Sequence, residues 1–257
     1  MFENIISNIT NINHLLFNWD DPYNRSVCDL FNKAKYFYIV YVTSEENLGY
    51  YTNNSAHKAV YLLPGYNPLI HYPINSNFYP SNNINPYICD VSFCCTNLYD
   101  DYTYSNQYIN RKKLIDDLYE AQKKFNFKLN LYGTKVLNIY PLSYKGYIPY
   151  DETNMVYNYS KINLCTHVQQ NAYKYINERT IQILGSGGLL LIDKVDGLEQ
   201  ILTPNEDCII LDKNNYVEQI INILKNYDNF ISIKHNGYNK SLQYTWNEWA
   251  KKIIANL

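Results

Sequence analysis

Three features that would point to particular classes of protein are missing from this 257-residue sequence. It has no block of like charge, since 22 Lys and Arg nearly balance 24 Asp and Glu, for a net charge of -2. That balance argues against the basic surface with which proteins bind nucleic acid or anionic membranes. No apolar run approaches the roughly 20 residues of a membrane span. The first residues also lack the basic stretch and small-residue cleavage site of a secretion signal.

Cysteine is present, but not at the spacing of a metal site. No CxxC pair or His/Cys ligand spacing occurs, and the adjacent Cys94 and Cys95 cannot form an ordinary disulfide or a zinc site alone. Several cysteines lie within apolar runs, as buried free thiols do. We therefore expect a reduced, soluble, cytoplasmic protein without a bound metal.

What the sequence does contain is an alternation of strand and helix patterns. Apolar residues make up 46% of the chain, enough for a substantial core. Residues 38–43 (YIVYVT) are β-branched and aromatic, as in buried strands, and residues 110–125 predict an amphipathic helix with Leu114, Leu118 and Ala121 on one face. Apolar strands separated by helices predict an α/β fold of parallel sheets covered on both faces.

The pattern divides the chain into two unequal lobes. Residues 1–66 hold about three strands, fewer than the five or six of a complete doubly wound sheet. Residues 67–86 contain four prolines and many asparagines, which predicts an extended linker. Residues 87–257 predict a parallel sheet of about six strands, including a short one at 144–150, followed by a helical tail broken near Gly237.

One stretch, NERTIQILGSGGLLLID (177–193), predicts a binding site. Its polar helix start follows the predicted strand 162–165, so the helix N-terminus lies at the carboxyl end of the sheet, where ligands of such folds bind. Unpaired backbone N–H groups and the positive end of the helix dipole suit a phosphate there. Arg179 adds a fork-shaped donor, and Gln182 can bond a sugar hydroxyl. The alternative is an ordinary helix start in an α/β domain.

The order of motifs resembles a known family, the CgeB-like glycosyltransferases, which are relatives of the large group-1 sugar transferases. The C-terminal resemblance rests on the stretch above, on YNYSKINLCTH before it and on EDCIILDKNNYVEQIINIL after it. Weaker matches occur upstream in the family's order, in FNWDDPY, YLLPGYNP, CDVSF and YKGYIPYDE. The resemblance implies a GT-B-like fold, two Rossmann-like lobes with the active site between them, of which the N-terminal, acceptor-side lobe is truncated here.

The resemblance also implies a reaction and its partners. Such proteins move a sugar from a nucleoside diphosphate donor, held by the C-terminal lobe, to an acceptor that can be a glycan, a protein or a lipid. They need no metal or other cofactor, and nothing in the resemblance involves nucleic acid or a membrane span. A homo-oligomer or a partner chain stays open.

Residue roles follow from the resemblance at five positions. Gln182 stands where the family usually has a glutamate that bonds the ribose. Glu178 and Arg179 match the polar helix start near the diphosphate and the sugar. Tyr150 ends a short strand that borders the base, and Gly133 ends a strand facing the same cleft.

Two further residues are candidates for catalysis. His167 follows a strand and matches a family histidine that could bond the leaving phosphate or the sugar; the alternative is a structural histidine in a loop. Asp20, with Asp21, could face the acceptor as a general base; the alternative is a turn-forming Asp-Asp-Pro. Asp100 and Asp101 are interpreted as solvated.

Departures from the family pattern leave other functions open. Cys94 and Cys95 stand where many relatives have a glycine, the first lobe is short, and Gln182 lacks the usual charge. A nucleotide-sugar-binding module without transfer activity is therefore a second hypothesis, and a different nucleotide-sugar enzyme, such as an epimerase, is a third.

Overall fold

The computed structural model describes residues 12–19, 33–53, 56–74, 87–98 and 109–257, and these residues form two parallel sheets with helices around them. The predicted α/β class is confirmed. The strands are β1 (Leu15–Asn18), β2 (Ile39–Val42), β3 (Lys58–Tyr61), β4 (Cys89–Cys95), β5 (Leu129–Gly133), β6 (Ser160–Cys165), β7 (Leu190–Ile192) and β8 (Ile209–Ile210). The α-helices are α1 (Leu48–Asn53), α2 (Arg111–Phe125), α3 (Thr153–Asn158), α4 (Glu178–Gly185), α5 (Tyr216–Lys225), α6 (Ile231–Ser241) and α7 (Trp246–Ile254).

The first sheet has three parallel strands in the order β1-β2-β3. Its central strand β2 is buried along its whole length because both faces are covered. Alternation of side chains sends Val40 and Val42 to one face, where Tyr51 of α1 packs. On the other face Ile39 and Tyr41 belong to a cluster that includes Trp249 of α7.

The second sheet has five parallel strands in the order β5-β4-β6-β7-β8 rather than about six. The expected strand at 144–150 is wrong, because only an isolated bridge joins Tyr144 to Leu131. Gly146 has a φ of 94°, which turns the backbone out of the strand direction, and Pro149 has no N–H to donate. Buried residues of α2 and α5, among them Leu118 and Ile220, pack in one cluster with the sheet.

The helical tail does not break at Gly237, which lies inside α6. A Cβ atom at this position would lie 2.5 Å from the Asp207 carbonyl oxygen and 2.7 Å from the Leu184 side chain of α4. Glycine is therefore there for close packing and not to end the helix. One real break comes before α7, where the Tyr66 backbone bonds both Tyr244 and Trp246.

Beyond that break, α7 returns to the first lobe. The Trp249 and Phe17 rings lie 4.8 Å apart, and Lys58 Nζ donates to Asn256 Oδ1 at 2.8 Å. A second contact joins the lobes through the 2.6 Å ion pair of Lys174 with Glu45. The two sheets are thus held together by side chains as well as by the chain that joins them.

Part of the predicted linker is docked against the second lobe. Within the described residues 67–74, the backbone N–H groups of Tyr72 and Ile74 donate to the side chains of Asn154 and Asn158 in α3. The domain boundaries themselves remain a prediction. The five cysteines in the described residues are buried and free, as expected. Nowhere in the described ranges is a helix both long and apolar enough to cross a membrane.

The packing of Gly237 makes a stability prediction. Gly237→Ala should lower the free energy of unfolding by about 1–3 kcal/mol, the usual cost of overpacking, because the new methyl meets a backbone carbonyl. Gly49→Ala is the matched control, since Gly49 is also helical but has nothing within 4 Å of the added Cβ. That control should be neutral or stabilising by up to about 1 kcal/mol. Urea denaturation of both variants checks this, and equal effects would contradict it.

Candidate nucleotide-sugar site

A cavity of about 320 Å³ lies beyond the carboxyl ends of β4 and β5, with residues of both lobes in its wall. The second lobe contributes most of the lining, and the first contributes Trp19, with Pro64 from the segment after β3. All five predicted nucleotide-sugar-binding residues line it: Gly133, Tyr150, Glu178, Arg179 and Gln182. The fold therefore places in one cavity residues that were predicted from three separate segments of the sequence.

The start of α4 is fixed at the cavity by its cap. The Asn177 side chain accepts a hydrogen bond from the Thr180 N–H at 3.1 Å, and its amide donates to the Thr166 carbonyl just after β6. Behind the cap, Ile181, Ile183 and the rest of α4 are buried. The polar first turn consequently faces the cavity while the apolar remainder holds the helix in place.

Arg179 is a cation in the cavity wall, and its charge acts to lower the pKa of the neighbouring Glu178 carboxyl. Its half-buried side chain makes no hydrogen bond and no ion pair with any residue that the structure describes. Burial disfavours its charge, but the neighbouring Cys165 and Tyr157 act in the other direction and hold the Arg179 pKa above its ordinary value. Because charges removed from water are normally paired, this guanidinium could pair with an anion that entered the cavity.

Glu178 and Gln182 lie one helical turn apart beside it. Burial raises the pKa of the Glu178 carboxyl, and a hydrogen bond with Gln182 partly offsets that effect. Gln182 is buried and in the cavity wall. The pair offers one acceptor carboxyl and one amide, a combination suited to hydroxyl groups.

Gly133 shapes the cavity rather than binding through a side chain. Its φ is 152°, and a Cβ atom here would lie only 1.7 Å from the Cys95 carbonyl oxygen. Only glycine lets β4 and β5 end this close together. Cys94 and Cys95 close the same corner, and burial raises the pKa of the Cys94 thiol to about 12, so it stays protonated.

Tyr150 lines the cavity, but it does not end a strand as expected. It begins a short 3-10 helix, Tyr150–Glu152, after Pro149. The residue is 37% exposed, and its ring lies edge-on to His71, with ring centres 5.0 Å apart. Burial, followed by the charge of Glu178, raises its pKa to about 12, so the hydroxyl remains a donor at neutral pH.

A family model described as glycosyl transferase-like matches residues 111–255, more than half of the chain. The chain belongs to this glycosyl transferase-like family. The matched residues include α4 and the helices behind it, and so most of the cavity's polar groups. No curated protein matches the chain significantly in sequence.

Solved structures show that the fold of this glycosyltransferase-like chain is the GT-B fold. Sucrose-phosphate synthase from Thermosynechococcus elongatus aligns over 98% of this chain and 68% of its own, at 16% identity and a TM-score of 0.64. The Anabaena protein HepE, in complex with UDP and glucose, aligns over 99% and 74%, at 11% identity and a TM-score of 0.67. A glycosyltransferase from Rickettsia africae aligns over 97% of this chain and 71% of its own, at 13% identity and a TM-score of 0.58.

The two predicted catalytic residues do not join this set. Asp20, like Asp21, falls outside the described residues, although its neighbour Trp19 lines the cavity. His167 is only 1% exposed and is not in the wall. Its Nδ1 lies 2.5 Å from Asp193 Oδ1, and its ring is edge-on to Tyr175, which does line the cavity. A catalytic role for either residue stays a prediction.

The aromatic part of the cavity wall was not predicted from the sequence. Trp19, Tyr147, Tyr157 and Tyr175 all line the cavity. With 29 tyrosines spread along the chain, no single tyrosine is conspicuous in the sequence. The available signal was that Trp19, Tyr147 and Tyr157 lie in three of the stretches that carry the resemblance, FNWDDPY, YKGYIPYDE and YNYSKINLCTH.

Replacing Arg179 is expected to weaken anion binding and to stabilise the unliganded protein. Arg179→Met should weaken binding of inorganic pyrophosphate by about 1.5–3 kcal/mol, the scale of a hydrogen bond to a charged group. The same variant should raise the melting temperature of the unliganded protein, because it removes a half-buried charge that has no ion pair in the described part of the chain. Calorimetric titration and thermal unfolding measure the two effects. Lys225→Ala, an exposed charge in α5, is the control; unchanged pyrophosphate affinity in Arg179→Met would contradict the assignment.

Proposed function

We propose that this chain transfers a sugar from a nucleoside diphosphate donor to an acceptor, without a metal. The observation that carries the proposal is Arg179, at the start of α4 in a cavity at the carboxyl edge of a parallel sheet; its guanidinium forms no ion pair within the described ranges. Membership of the glycosyl transferase-like family supports sugar transfer, and the HepE structure with UDP and glucose supports this kind of donor.

The cavity offers a distinct group to each part of such a donor. The diphosphate would rest against the first-turn N–H groups of α4 and Arg179. The Gln182 amide would bond the ribose, and Glu178 would accept hydrogen bonds from the transferred sugar. Tyr150 would border the base. We propose that Gly133 contributes only the close approach of the strand ends.

The transfer step itself asks little covalent chemistry of the protein. The acceptor oxygen forms a bond to the anomeric carbon while the bond from that carbon to the diphosphate breaks, and the acceptor proton passes to a base. Arg179 and the helix start stabilise the negative charge that grows on the departing diphosphate. In this proposal the positive charge takes the role that a metal ion has in other enzymes. Asp20 is proposed as the base and His167 as a contact of the leaving group.

A second candidate function is binding without transfer. The first lobe is described with three strands, and we propose that it is a shortened acceptor lobe. Gln182 replaces the carboxylate that the CgeB-like resemblance implies, and His167 is turned into the protein towards Asp193. Such a chain would hold the nucleotide-sugar and depend on a partner chain to complete the acceptor side.

Restoring the carboxylate tests the ribose contact. Gln182→Glu should retain or improve UDP affinity, by up to about fivefold, because a charged acceptor strengthens a hydrogen bond by roughly 1 kcal/mol. Titration calorimetry with UDP measures the change. Gln243→Glu is the control, since it adds the same charge at an exposed site in another part of the fold. A Gln182→Glu variant that lost UDP binding would show that the amide does not face the ribose.

Turnover separates an enzyme from a binding module. We expect the chain to release UDP from a UDP-sugar, measured by product analysis over a panel of donors with glycan, protein and lipid acceptors. His167→Ala should reduce turnover more than donor affinity if this residue contacts the leaving group. If it instead lowers only the melting temperature, His167 is structural. Tight donor binding with no turnover on any acceptor would favour the binding module.

A further inference from the structure

A buried histidine lies directly behind the cavity wall. His71, in the segment after β3, is fully buried. Its ring is edge-on to Tyr150 at 5.0 Å between ring centres and stacked on Tyr157 at 6.1 Å. Its Nε2 lies 3.0 Å from Thr153 Oγ1. Tyr150, Thr153 and Tyr157 all line the cavity, so this one residue touches three parts of its wall.

The hydrogen bonds around His71 fix its tautomer. Thr153 Oγ1 donates its single hydrogen to the Tyr150 carbonyl oxygen at 2.7 Å. The hydroxyl can then only accept from His71, so Nε2 carries the proton and Nδ1 does not. Burial lowers the pKa of His71 to about 4, which keeps the ring neutral near pH 7. Two hydrogen bonds in series result: His71 donates to the Thr153 hydroxyl, and that hydroxyl donates to the Tyr150 carbonyl oxygen. We call this chain of bonds the relay.

The rest of the segment is built to hold this histidine in place. Tyr72 N–H donates to Asn154 Oδ1 at 3.2 Å, and Asn158 Nδ2 donates to the Tyr72 carbonyl oxygen at 3.1 Å. His71 Nδ1 is buried and has no hydrogen-bond partner within the described part of the chain. A phenylalanine would fill this place without leaving a polar atom unsatisfied, so stability alone does not favour histidine here.

We propose that His71 is a positioning residue that sets the nucleobase side of the donor cavity. Through Thr153 it fixes the backbone at Tyr150, and through its ring it fixes the Tyr150 and Tyr157 side chains, so the aromatic wall is rigid before a base arrives. This inference rests on the proposed function. It assigns to residues 67–74 a part in recognising the nucleoside, separate from the part of Arg179 in binding the diphosphate.

The test compares two probes, UDP and inorganic pyrophosphate, by titration calorimetry. His71→Phe removes the Nε2–H donor but keeps a ring, and Thr153→Val removes the hydroxyl but keeps the shape. Each should weaken UDP binding about threefold to tenfold, the size of one neutral hydrogen bond, and leave pyrophosphate binding within about twofold. The double variant should be no weaker than the weaker single variant, because both interrupt one relay. His71→Gln, which can present an N–H at the same place, should recover most of the affinity.

Controls distinguish positioning from a loss of structure. His57→Phe changes an exposed histidine stacked on Tyr38 in the first lobe and should leave both affinities unchanged. The proposal is overturned if UDP affinity is unchanged in His71→Phe and Thr153→Val, or if pyrophosphate affinity falls in the same proportion. If the unaltered protein binds pyrophosphate and UDP equally well, His71 has no base to position while the Arg179 site stands. If it binds neither probe, the proposed function fails as well.

Discussion

The five strands of the second sheet are all parallel, and this constraint decides where the groups that the second lobe contributes to the cavity lie. Each strand must be followed by a crossover before the next can pair, so all carboxyl ends open onto one edge. The ends of β4, β5 and β6 therefore bring Cys95, Gly133 and the start of α4 together. Both faces of the sheet are buried and mostly apolar, apart from polar residues such as Ser92, which donates to Asn163 within the sheet. The polar groups of the cavity wall lie beyond this edge. The cavity is a consequence of the topology before any ligand is considered.

Around that edge, the protein has three features that lower its stability and that a protein without a binding site would not need. Among the residues that the structure describes, Arg179 has no ion pair and His71 Nδ1 has no hydrogen-bond partner, and Gly133 has no side chain. Each costs some free energy of folding, and the buried apolar residues of α4 and the sheet offset it. All three features lie at or directly behind one cavity, and local features that cost stability are common at binding sites.

The sequence predicts best where short-range pattern and physics agree. The apolar runs predicted the parallel strands. The polar helix start predicted that Arg179 and Gln182 lie at the cavity, because helix caps and dipoles act over a single turn. The prediction of a strand at 144–150 was wrong because Gly146 bends the backbone there. Gly237 and His71 could not be foreseen, because their roles come from Asp207 and from Thr153, which are distant in sequence. Asp20 lies outside the described residues and remains a prediction.

The return of α7 to the first sheet has a consequence for how the chain folds as it is made. The Tyr41 hydroxyl donates to the Ile253 carbonyl oxygen 212 residues later, and Trp249 covers Phe17. At about 5–20 residues per second, a ribosome would need about 10–40 s to supply that covering helix after β2 emerges. During this interval one apolar face of the nascent first sheet would be uncovered and open to chaperones. The first lobe begins synthesis early but can complete its core only after the second lobe has been made.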